Sequence, residues 1–138
     1  MEVKPNPVLV MSSLALSFPG FLFIQRAEYF NAFISFGCCF FSILWHSTKP
    51  RYNWILLADM LFANSTGVLA FHTALRGSIL SLIPSSLFIG GGVVLYYGQR
   101  NKCFLWCSDY DLATQWHAVL HIGNGLMGSW LVLLIAKN

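Results

Sequence analysis

The stretch Ser78-Ile-Leu-Ser-Leu-Ile-Pro-Ser-Ser-Leu-Phe-Ile-Gly-Gly-Gly-Val-Val-Leu-Tyr-Tyr-Gly98 runs for 21 residues without one Asp, Glu, Lys, Arg or His. A bilayer core about 30 Å thick needs roughly 20 apolar residues of helix, so this stretch reads as a membrane span. Four more stretches of similar length lie on either side of it, at about 7 to 24, 28 to 47, 52 to 72 and 112 to 136. Gln25-Arg26, Lys49-Pro50-Arg51, Arg76-Gly77 and the polar run from Gly98 to Asp109 separate them. The runs are too long, and too uniformly apolar, for the alternating strands of a membrane barrel. The expected fold is therefore an all-α membrane protein, a single domain over residues 1–138 built as a bundle of about five transmembrane helices.

Composition closes off the soluble classes. Hydrophobic residues make up 57% of the chain and charged ones 9%, so eight Lys and Arg with five Asp and Glu cannot coat a water-soluble globule. The net charge of +3 is spread as single basic residues between apolar runs, which gives nucleic acid nothing to bind. The first apolar run continues through Phe23-Ile24 without a small-x-small cleavage pattern, and it reads as a retained helix rather than a leader. Lys4, Lys49, Arg51, Arg100 and Lys102 on one side outnumber Arg26, Arg76 and Lys137 on the other, which places the N-terminus in the cytosol. The compartment stays open: an endomembrane such as the ER or Golgi, or the plasma membrane, in a eukaryotic cell. Cys38, Cys39, Cys103 and Cys107 contain no CxxC pair and read as unmodified thiols. Pro84, Gly90 to Gly92, Gly123, Gly125 and Gly128 permit kinks or close helix approach.

Against this background the ionisable residues inside the spans are few, and each is costly in lipid unless it serves a site. His46 ends the second span in Ser42-Ile-Leu-Trp-His46, Asp59 lies near the start of the third, and the fifth opens with Trp116-His-Ala-Val-Leu-His121. Residues four apart share a helix face, so Ser42 stacks beneath His46 and His117 pairs with His121. The end of span two and the start of span three lie on one side of the membrane. Two further crossings bring the start of span five back to it, so all five residues share a depth. His72, 13 residues beyond Asp59, falls at the opposite interface about 20 Å away. Asp109 and Asp111 read as solvated charges or the N-terminal cap of the last helix.

Taken singly, each polar residue is explained by a bond to a neighbouring carbonyl. Taken together, three imidazoles form a ligand set that leaves one position of a tetrahedral Zn2+ open, the pattern of a catalytic site. Bound water there becomes acidic enough to supply hydroxide at neutral pH. Asp59 is expected to orient that water or act as its base, and Ser42 to bond the water or a developing oxyanion. The nearest imidazole nitrogens should converge within about 4 Å.

The arrangement, SxxxH ending one helix, Asp in the next and HxxxH in the last, resembles the CREST superfamily of membrane hydrolases. That superfamily includes alkaline ceramidases, the progestin and adipoQ receptors and enzymes that remodel lipid anchors. The resemblance implies Zn2+ on His46, His117 and His121, with Ser42 and Asp59 as the catalytic pair, acting on a membrane lipid with an amide or ester bond. Members usually have seven helices; removing one pair between the third and the last keeps the final HxxxH on the same side. The acidic N-terminal calcium site of the ceramidases has no counterpart in Met1-Glu-Val-Lys-Pro-Asn6. The alternatives are a non-catalytic membrane subunit, a receptor-like protein that keeps the metal structurally, paired-histidine haem ligation and a proton pathway. A bundle this thin leaves little room for an acyl chain, so a homodimer or a partner membrane subunit is expected to complete it through the glycine faces.

Overall fold

Asn6 opens the first span: its side-chain oxygen accepts the backbone N–H of Val8 and Leu9, and Pro7 fills the first helical position, where no N–H is needed. The computed structural model describes residues 5–48 and 53–135. The first span comprises α1 (Pro7–Ser13), a 3₁₀ turn (Leu14–Ser17) and α2 (Phe18–Gln25). Pro19 causes the break, because it has no N–H to offer the carbonyl of Ala15 and its ring crowds that carbonyl. The N–H of Phe18 takes the Ala15 carbonyl instead, one residue early, which is the 3₁₀ geometry.

Four further helices follow: α3 (Tyr29–Thr48), α4 (Asn53–Leu75), α5 (Leu82–Asn101) and α6 (Tyr110–Leu134). Short 3₁₀ turns at Ile79–Ser81 and Phe104–Trp106 lead into and out of α5. Five stretches are long and apolar enough to cross a membrane, namely Pro7–Gln25, Tyr29–Ser47, Trp54–Leu75, Ile79–Trp106 and Tyr110–Leu134. These agree with the sequence reading to within a few residues, except that the fourth runs on into the Gly98 to Asp109 connection. The described residues contain no strand, only an isolated bridge between Gly77 and Ile135. The architecture is an all-α bundle, that of a multi-pass membrane protein. Lys49, Pro50 and Arg51, read as the second break, lie outside the described residues, as do Lys4 and Lys137 from the charge asymmetry.

The interior sits between the first span, α3 and α6. Phe23, Ala32, Val132 and Ile135 form one buried cluster, and Leu16, Cys38 and Cys39 form another backed by Ile43 and Phe62. The second cluster depends on a close approach that only glycine allows. A Cβ on Gly37 would fall 2.1 Å from the ring of Phe62, so α4 lies directly against α3 there. Gly90, Gly91 and Gly92 have nothing within 4 Å of such an atom, so within the monomer these three glycines bring no helix close. α5 is the peripheral helix, with Pro84 and Gly98 as its buried residues.

The bundle is tied at both ends. At the far end the Arg76 guanidinium grips the Glu28 carboxylate through two bonds of 2.8 and 2.9 Å, and Asn31 donates to the same carboxylate. The bidentate Arg76 bond holds the Glu28 carboxyl below its ordinary value of 4.5, and Glu28 in turn raises Arg76. At the near end the backbone N–H of Asn6 donates to the carbonyl of His46 at 3.0 Å, while the Asn6 amide donates to Tyr110 and Thr114, each at 3.0 Å. The start of α1, the end of α3 and the start of α6 therefore share one end, which is the depth relation the site requires.

Candidate metal centre

α3 delivers His46 from its last turns, and α6 delivers His117 and His121 from adjacent turns of one face. Asp109 starts that helix as its N-cap, accepting the N–H groups of Asp111 and Leu112 at 3.0 Å each, so the register of the pair is set by a conventional helix start. The three rings pack on one another. Centroids lie 4.9 Å apart for His46 and His117, 5.5 Å for His46 and His121, and 4.6 Å for His117 and His121. One nitrogen from each ring lies within 4.8 Å of the others, and the group can hold a metal ion. That is somewhat wider than the expected 4 Å. Metal–nitrogen bonds of about 2.0–2.1 Å would draw each ring inward by less than roughly an ångström.

The donor set fits an ion for a second reason. Nε2 of His46 is buried and has no hydrogen-bond partner among the described residues. A polar atom in that state costs free energy unless something binds it.

Ser42, buried at 2% exposure, meets the cluster as expected. Its Oγ lies 3.4 Å from Nε2 of His121 and 3.0 Å from Oγ of Ser13. Asp59 is placed differently. It is half-buried on α4, within electrostatic reach of Cys38, and among the described residues no hydrogen bond joins it to the histidines or to Ser42. The contact of Phe62 with Gly37 explains this. Three residues before Phe62 on an antiparallel helix, Asp59 is level with about residue 40, roughly 9 Å below His46 along the axis. His72 is exposed and lines a groove with Phe30 and Asn31, at the Glu28 end of the bundle. Cys103 and Cys107 are free thiols.

The first helix supplies what the sequence reading missed. Ser12 and Ser13, both buried, place their hydroxyls 3.0 and 3.2 Å from Nδ1 of His121. The available signal was a pair of hydroxyls, Ser12-Ser13, inside the apolar run Val8-Leu-Val-Met-Ser-Ser-Leu-Ala-Leu. Helical back-bonding to the carbonyl of Leu9 is also present and would have accounted for them without a site.

Beyond His121 the bundle interior opens into a small apolar cleft of about 40 Å³. It begins one turn along α6, at Asn124 and Gly125, and continues past Gly128 to Leu131, with Phe88 of α5 on its wall. From His121 to Leu131 is roughly 15 Å of helix. The hydroxyl of Thr73 lines the cleft, 1% exposed and without a hydrogen-bond partner among the described residues. Compared with known proteins, the chain matches no family model, no curated protein and no solved structure.

Proposed function

We propose that the protein is an integral membrane zinc-dependent hydrolase that cleaves an amide or ester bond of a membrane lipid. The observation that carries this reading is the buried, unpartnered Nε2 of His46 in a cluster of three imidazoles whose nitrogens lie within 4.8 Å. His46, His117 and His121 would hold Zn2+ through three neutral nitrogens, and the ion would supply hydroxide from water near neutral pH. Ser42 stands beside Nε2 of His121 and hydrogen-bonds the attacking water or the carbonyl oxygen of the scissile group. Asp59, half-buried on α4, is the carboxylate that would take up the proton. The cleft beyond His121 is apolar with few polar groups and runs along α6, the surroundings an acyl chain would take.

One observation favours a second reading, a non-catalytic subunit or receptor-like protein with a structural metal: the carboxylate that would serve as base makes no bond to the cluster among the described residues. The two readings separate on purified protein in lipid nanodiscs. Zinc analysis should give about one ion per chain, and a panel of ceramides and phospholipids should yield free fatty acid. Stoichiometric zinc without release from any lipid would support the structural reading. No zinc, together with a His117→Ala variant of unchanged thermal stability, would remove both.

A further inference from the structure

Three hydroxyls, those of Ser12 and Ser13 in the first span and Ser42 in α3, converge on His121. Oγ of Ser13 lies 2.7 Å from the carbonyl oxygen of Leu9, and Oγ of Ser12 lies 3.1 Å from the same atom. A carbonyl only accepts, so these contacts direct the hydroxyl protons of both serines to Leu9. Their oxygens then face Nδ1 of His121 with lone pairs, at 3.0 Å from Ser12 and 3.2 Å from Ser13. Two acceptors facing one ring nitrogen assign the hydrogen to that nitrogen.

We infer that the first helix, through Leu9, Ser12 and Ser13, fixes His121 as the Nδ1–H tautomer and so presents an unprotonated Nε2 to the metal. Ser12 and Ser13 are positioning residues. The inference rests on the metal reading and deepens it, because the opposite tautomer would place a proton on Nε2 and close that ligand to an ion.

The test combines one spectroscopic and one binding measurement on the full chain in lipid bilayers. Solid-state NMR of metal-free wild-type protein labelled with ¹⁵N-histidine should show the His121 hydrogen on Nδ1, assigned by loss of the signal in His121→Ala. Zinc affinity, measured by competition with a chromophoric chelator, should fall about 10- to 100-fold in the Ser12→Ala, Ser13→Ala double variant. Ser17→Ala deletes a comparable bond, to Leu14, that does not touch His121, and should leave affinity unchanged. If wild-type protein binds zinc but carries the His121 hydrogen on Nε2, this inference is overturned while the metal reading stands. Full affinity in the double variant has the same consequence. If wild-type protein binds no zinc, both fall.

Discussion

The carbonyl oxygen of Ala15 lies against the backbone of Gly125 so closely that a Cβ on the glycine would fall 2.2 Å from it. Pro19 and the 3₁₀ turn turn that carbonyl out of the ordinary helical ladder, and Gly125 lets the first span and α6 close over it. Gly125→Ala must therefore displace backbone rather than a flexible side chain, and a loss of roughly 2–4 kcal/mol is expected, at or above the usual range for overpacking. Gly91→Ala is the matched comparison, because nothing lies within 4 Å of its added atom. There the better helix propensity of alanine should leave stability unchanged or raise it by up to about 1 kcal/mol. Thermal unfolding of both variants in one detergent measures the contrast, and equal melting temperatures would contradict the packing.

Both glycines belong to the set that the sequence marked for close approach, and the sequence offered no means of telling them apart. Spans, their number and the shared depth of His46, His117 and His121 were legible, because the apolar runs fix length and the crossings fix side. Helix rotation and axial offset were not. The register of Asp59 depends on Gly37 receiving the ring of Phe62, a contact between two apolar residues that hydropathy does not order. Ser12 and Ser13 were hidden for a related reason: hydroxyls in an apolar helix can satisfy themselves on their own backbone, so their presence does not announce a partner.

Asn6 joins three helices at the histidine end through its amide, its cap and its backbone N–H. Asn6→Ala removes the cap and both side-chain bonds, to Tyr110 and Thr114, and should cost about 1–3 kcal/mol. Tyr110→Phe removes one acceptor and leaves the cap intact, with an expected loss of about 1 kcal/mol. Chemical denaturation in detergent reads both values. A cost for Asn6→Ala no greater than that for Tyr110→Phe would mean that the remaining bonds carry nothing.

At the other end, Glu28 titrates below its ordinary value of 4.5 because Arg76 bonds its carboxylate. A group with a lowered folded-state pKa stabilises the fold above its unfolded value, and that contribution disappears as pH falls through the folded value. Wild-type protein should thus exceed Glu28→Gln in stability near neutral pH, and the gap should close below about pH 4. The Arg76 side chain is 33% exposed, so solvent screening limits the gap to on the order of 1 kcal/mol or less. Melting temperatures from pH 3 to pH 7 give the curve, and a gap that widened in acid would reverse the assignment.

Ser42 and His117 separate chemistry from metal retention. Among the described residues His117 makes no bond to the hydroxyls around His121, so if the cluster holds zinc as proposed, His117→Ala should release the ion and lose the stabilisation that zinc gives wild-type over chelator-treated protein. Ser42 contributes no ligand to the group. Its hydroxyl lies 3.4 Å from Nε2 of His121 and bonds Ser13, so Ser42→Ala should keep near-stoichiometric zinc and a melting temperature close to wild type. If Ser42 bonds the water or the carbonyl oxygen during hydrolysis, the rate should nevertheless fall about 100-fold or more. Zinc content and fatty-acid release measured on the same preparations make the comparison. Full hydrolysis by Ser42→Ala would remove the serine from the chemistry, whereas loss of zinc would recast it as part of the ligand shell.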